Sequence, residues 1–239
     1  MLPRFAHILE LNNPGSVVEY KVDANDRFLY LFMTLSTSIS GWQHCRPVIS
    51  IDGTSLKNKY GGTLLSASTP DANDQIFSLA FCVVDYENDS SWTRFCNQLK
   101  RIIGGRNEVD IVSDIHKSIC KVIEVVFPNV LHCMCLVHLL RNLKLKYKRI
   151  VDIVFHVCEK AFNIIDFEHE MHCLESFAFG IRKKLESIGF AKWFGAYSPR
   201  RRYNVMTTNI SKSSNSAMLK AGELPICSML EVLRMMLQR

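Results

Sequence analysis

Pro47-Val48-Ile49-Ser50-Ile51-Asp52-Gly53-Thr54 and Asp110-Ile111-Val112-Ser113-Asp114-Ile115-His116 decide how this chain reads. Each is a short Val/Ile-rich run that ends on an aspartate. Runs of this length and composition read as buried strands. An acid just past the end of such a strand lies at the carboxyl edge of a sheet, where open α/β folds place their chemistry. Two such acids on neighbouring strands form a carboxylate pair, and carboxylate oxygen suits hard Mg2+ or Mn2+. Asp52 and Asp114 are therefore the candidate catalytic and metal-binding residues.

The flanking sequence supplies the rest of an α/β unit. Thr63-Leu64-Leu65-Ser66-Ala67 and Ile76 to Val84 read as two further strands, separated by the loop Pro70-Asp71-Ala72-Asn73-Asp74. Ser90 or Ser91 can cap a helix whose apolar positions Trp92, Phe95, Leu99 and Ile102 recur every three or four residues, with Gly104-Gly105 as its stop. Ile115, Ile119, Val122, Ile123 and Val126 give a second helix an apolar stripe up to Pro128. Val130 to Cys133 reads as a brief strand and Leu136 to Leu143 as a third helix. The order β-β-β-α-β-α-β-α is that of the ribonuclease-H-like mixed sheet, in which the first and fourth strands are neighbours. Upstream, Val17 to Val22 and Arg27 to Leu35 read as strands after the turn Asn13-Pro14-Gly15. Downstream the pattern is helical from Arg149 to about Ile188, with a last helix starting near Thr208. The expected division is a lead-in over 1–45, the core over 46–148, a helical insertion over 149–200 and a C-terminal helix over 201–239.

The 239 residues carry 48% hydrophobic and 22% charged side chains, as in ordinary globular proteins. No run approaches the roughly 20 apolar residues of a membrane span, and the N-terminus has no signal-peptide pattern. Nine cysteines without a repeating framework read as reduced thiols. The net charge is +6. Its basic residues gather at Arg141, Lys144, Lys146, Lys148 and Arg149, at Arg182-Lys183-Lys184, and at Arg200-Arg201-Arg202. Such clusters suit an anionic partner with a phosphate backbone. His116 is placed to contact a phosphate or simply to open a helix. Cys133-Met134-Cys135-Leu136-Val137-His138, even with His169, His172 or Cys173, lacks the paired spacing of a zinc site and reads as packed thiols and a packed imidazole.

A series of ordered motifs goes further. They include Asp52-Gly53-Thr54, Lys59-Tyr60-Gly61-Gly62-Thr63-Leu64-Leu65, Val84-Asp85 with Glu87-Asn88-Asp89 and Trp92, and Ser113-Asp114-Ile115-His116-Lys117-Ser118. With Cys135-Leu136-Val137-His138, Arg141-Asn142 and Tyr203-Asn204-Val205-Met206-Thr207-Thr208-Asn209-Ile210, the chain resembles the plant Mutator-like (MULE) transposases and the related far-red-impaired-response proteins. The resemblance implies a nuclear protein acting on DNA at transposon terminal repeats, with no membrane or small-molecule substrate, and it allows a homo-oligomer. It implies an Asp-Asp-Glu site for Mg2+ or Mn2+, with Asp52 and Asp114 as the aspartates and Cys135 and His138 shaping the site. The family's glutamate follows Thr-Asn-Ile and a small residue; here that place holds Lys212. The expectation is a catalytically impaired transposase domain, since Glu223 and Glu231 lie far along the chain. An active nuclease using another third acid, or a domesticated DNA-binding regulator, are the alternatives. The family's flanking zinc modules are missing and the sequence stops within an amphipathic segment, so a truncated product is expected.

Overall fold

The computed structural model describes residues 2–59, 61–106, 108–114, 117–147, 161, 163–193, 197 and 218–238. Seven strands form one mixed sheet: β1 (Val17–Val22), β2 (Phe28–Thr34), β3 (Val48–Ser55), β4 (Thr63–Pro70), β5 (Ile76–Val84), β6 (Asp110–Ser113) and β7 (Leu131–Met134). Their spatial order is β1-β2-β5-β4-β3-β6-β7. The pairs from β1 to β3 are antiparallel, while β6 and β7 run parallel to β3. Residues 17–34 thus extend the same sheet that holds both aspartates.

Alternation along the strands distributes side chains between layers. Ile49 and Ile51 point to the face covered by α3 (Asp89–Ile103) and α4 (Lys117–Val126), where Trp92, Phe95, Leu99, Ile119 and Ile123 are buried with them. Val48 and Val112 point the other way, onto α5 (Leu136–Tyr147), α6 (Ile164–Phe177) and α7 (Ile181–Ile188). On the far half of the sheet, Leu31, Met33, Leu64, Phe81 and Val83 meet α1 (Leu2–Asn12) and α8 (Ile226–Leu237).

Local chemistry sets the element ends. The N-cap of α3 is Asn88, not Ser90 or Ser91. Asn88 Oδ1 accepts from the Ser91 backbone N–H at 2.9 Å, and Ser91 Oγ accepts from the Asn88 N–H at 2.9 Å, a reciprocal capping box. The helical stretch after residue 163 breaks at Gly180, whose φ of 76° is in the left-handed region. The start expected near Thr208 lies outside the described residues; the helix there runs Ile226–Leu237 after Pro225. Two helices were not foreseen, α1 and the short α2 (Ser36–Gly41). Beyond α2, Arg106 ties the β6 side to the chain before β3. Its guanidinium donates to the Trp42 and Cys45 carbonyls, each at 2.7 Å, and covers the Trp42 ring. Among the described residues no helix is long and apolar enough to cross a membrane.

Candidate active site

The β3–β6 register decides where the two aspartates fall. Val48 pairs with Asp110, Ile49 with Ile111 and Ser50 with Val112. Continuing that register by two residues brings Asp114 beside Asp52. An offset of two preserves the face, so both carboxylates share the side of Val48 and Val112, toward α5. One expectation needs correction. Asp114 does follow its strand, but Asp52 lies within β3, still paired with Ser66 of β4 after β6 has peeled away. Asp52 is thus held within the β3–β4 ladder.

Both aspartates line one cavity of about 550 Å³, together with Gly53, Ser55, Gly62, Thr63, Asp85, Tyr86, Glu87 and Ile119. Asp52 Oδ1 accepts from the Gly53 N–H at 2.9 Å, which fixes the carboxylate near the backbone. Gly53 has little room to spare. A Cβ there would lie 3.3 Å from Trp92 and 3.4 Å from both carboxylate oxygens of Glu87. Glu87 is itself anchored, because Oε1 accepts from Nε1 of the fully buried Trp92 at 3.1 Å. Asp85 and Glu87 were not singled out as site residues from the sequence. They reach the site because β5 ends at the edge where the β3–β4 turn lies, with Val84 paired to Thr63 and Thr63 to Ser55.

Helix α5 contributes from the covered face. The Cys135 N–H donates to the Ser113 carbonyl at 2.8 Å, which locks the start of α5 to the strand end that carries Asp114. One turn later His138 Nδ1 stands 4.0 Å from Asp114 Oδ1. The interaction with the Cys135 thiol, then the charges of Asp114 and Asp52, outweigh burial and raise this imidazole to about 9.

Behind Asp114, the Ser113 hydroxyl donates to the Asp114 carbonyl at 3.0 Å and lies 2.8 Å from His132 Nε2. With its proton so committed, Ser113 accepts from a neutral His132 Nε2–H. His132 is 8% exposed, and burial, helped by Lys192, lowers its pKa from 6.5 to about 4. The unfolded chain therefore takes up this proton first, so stability is full above pH 6.5 and falls as pH drops toward 4. Linkage gives His132 a share of about 2 kcal/mol lost on going from pH 7.5 to pH 5, while His138, raised to about 9, adds stability over the same range and opposes it. In urea unfolding across that range His132→Gln, which can donate without titrating, should lose this acid-side penalty and end about 2 kcal/mol less sensitive to acidification than the parent.

As metal donors, Asp52 and Asp114 have the right hard-oxygen chemistry. Among the described residues, however, no three His, Cys, Asp or Glu side chains converge closely enough to enclose an ion. The fit is to an open pair rather than a cage. Lys212, His116 and Arg200 to Arg202 lie outside the described residues. Neither distant glutamate lines the cavity. Glu223 reaches Lys57 at 4.0 Å, and Glu231 is bound by Arg234 at 2.5 Å. Of the basic clusters, Arg141, Lys144 and Lys146 are exposed on α5. Arg182 is instead engaged, joining α6 to α7 through Glu168 at 2.6 Å and bonding Glu186 at 3.0 Å.

Residues 48–142 match the family model for the MULE transposase domain. The match opens with β3 and closes within α5, so it contains both aspartates, the Asp85–Glu87 segment, Cys135 and His138. It covers less than half of the chain. No curated protein matches the sequence.

Proposed function

We propose that this chain carries the ribonuclease-H-like core of a Mutator-like transposase, acting on DNA in the nucleus, and that its catalytic power is impaired. The observation that supports this most is a coincidence of geometry and family. The span matching the MULE domain is the span whose register brings Asp52 and Asp114 to one cavity. Those two residues would hold Mg2+ or Mn2+ against a DNA phosphodiester. The chemistry such ions supply is activation of the attacking oxygen and stabilisation of the leaving one. The chain's own part is positional: Gly53 fixes Asp52, α5 presents His138 to Asp114, and Trp92 holds Glu87 at the rim. Lys212 stands where the family pattern has its third acid, which leaves the pair without its usual partner.

A DNA-binding protein that no longer cuts is the second reading, favoured by the exposed Arg141, Lys144 and Lys146 on the helix that also carries His138. One experiment addresses both. Mn2+ titration by calorimetry should show weak binding that Asp52→Asn and Asp114→Asn each reduce by about tenfold or more, the loss of one charged ligand. Unchanged Mn2+ affinity in both variants would sink the metal reading. DNA affinity that survives EDTA and both substitutions would favour the binding protein.

A further inference from the structure

We propose that Tyr86 is a stacking platform for a nucleobase flanking the phosphodiester that Asp52 and Asp114 would engage; this rests on the reading above. Charge decides why such a contact is needed. The described lining of the cavity carries four carboxylates, Asp52, Asp85, Glu87 and Asp114, and neither lysine nor arginine. A DNA strand entering it adds further negative charge, and the cationic group described there is the His138 imidazole behind Asp114, not a lysine or arginine of the lining. Divalent ions and an uncharged contact are two sources of affinity that suit such a wall. Tyr86 offers the one aromatic face among the described lining residues.

A single exposed tyrosine is ordinary on a protein surface. This one is 70% exposed at the rim of an anionic cavity, on a loop secured from both sides. Before the ring, the Asp85 N–H donates to the Leu29 carbonyl at 3.1 Å and the Tyr86 N–H donates to Asp85 Oδ1 at 2.8 Å. After it, Glu87 is held by Trp92, and Asn88 and Ser91 close the capping box of α3. The backbone is already ordered, so stacking costs little beyond two side-chain torsions. Every base has a π-face, so the contact gives affinity and placement without choosing a sequence.

The test uses the full chain in Mg2+ with a branched DNA whose unpaired strand carries 2-aminopurine, read by anisotropy and by base fluorescence. Base–aromatic stacking corresponds to roughly 5- to 150-fold in affinity. Tyr86→Ala should weaken binding within that range and abolish quenching of the 2-aminopurine, while Tyr86→Phe retains both. Asp52→Asn reports on the underlying site by removing the Mg2+-dependent part of the affinity. If Asp52→Asn has that effect while Tyr86→Ala leaves affinity and quenching unchanged, stacking by Tyr86 is overturned and the site reading stands. If neither variant changes anything, or the parent chain binds no DNA, both fall.

Discussion

Lys212→Glu is expected to raise Mn2+ affinity by about a hundredfold and to give Mn2+-dependent cleavage of terminal-repeat DNA that the parent chain performs poorly. If position 212 takes the third-acid place that the family pattern gives it, the substitution changes the charge by two units beside a carboxylate pair that would face divalent ions. At an effective dielectric of about 20, one pair of unit charges 4 Å apart interacts by about 4 kcal/mol. A lysine side chain can swing its ammonium toward solvent, which cuts the repulsive part well below that figure. What remains is a repulsion of about one tenfold step and a missing ligand of about another. Lys212→Gln separates them: it should recover only the first step, in affinity but not in cleavage. Asp114→Asn placed on the Lys212→Glu background should abolish the gain. Calorimetry with Mn2+ and a nicking assay on supercoiled and linear terminal-repeat DNA provide the two readouts. If Lys212→Glu moves neither, position 212 does not stand beside the pair, and the proposed impairment loses its ground.

How much of this was legible in the chain follows from where the physical signal is local. β1 and β5 were read with their observed bounds because β-branched and aromatic runs are closed off by Asn, Asp, Pro and Gly. The stripe of α3 was equally plain, yet its cap was misplaced by two or three residues. Asn88, Ser90 and Ser91 are all able to cap, and Ser91 turned out to be the reciprocal partner at N3. Helix α2 carries no usable pattern, being Ser36-Thr37-Ser38-Ile39-Ser40-Gly41. It is held from a distance, as the Thr37 and Ser38 hydroxyls donate to the Leu237 carbonyl at the end of α8. Helix α1 buries only Ala6 and Leu9, too narrow a stripe to declare itself.

The site divides along the same line. Asp52 and Asp114 were legible because each terminates or interrupts an apolar run. Asp85 and Glu87 look like loop acids, and only the antiparallel return of β5 to the β3–β4 edge makes them neighbours of Asp52. The pairing of His138 with Asp114 likewise needs the parallel β6–β7 step that seats α5 over the strand ends. Sequence spacing singled out the two candidate carboxylates, and topology supplied their neighbours.

The glycine pair at the β3–β4 turn carries the largest expected effect on stability. Gly62 has a φ of 91°, and a Cβ built on it would lie 2.5 Å from the Val84 carbonyl oxygen. That oxygen belongs to β5, whose neighbours β2 and β4 both fix its position at Val84. Gly62 in turn accepts from the Leu56 N–H at 2.9 Å, closing the turn. Gly62→Ala therefore adds a left-handed conformation for a residue with a Cβ, about 1–2 kcal/mol, to a backbone clash that only strand displacement relieves, about 2 kcal/mol more. A loss of about 4 kcal/mol is a large part of a typical folding free energy, and should lower the melting temperature by roughly 10 °C for a chain of this size. Gly61 is the internal control. Its φ is 66°, but a Cβ there meets nothing within 4 Å, so Gly61→Ala should cost only the backbone term. Thermal unfolding of the two variants side by side checks this, and equal losses would mean that the approach to Val84 is not what requires glycine at 62. Because Gly62 and Thr63 line the cavity beside Asp52 and Asp85, the strand shift that accommodates Gly62→Ala should also weaken Mn2+ binding, whereas Gly61→Ala leaves it unchanged.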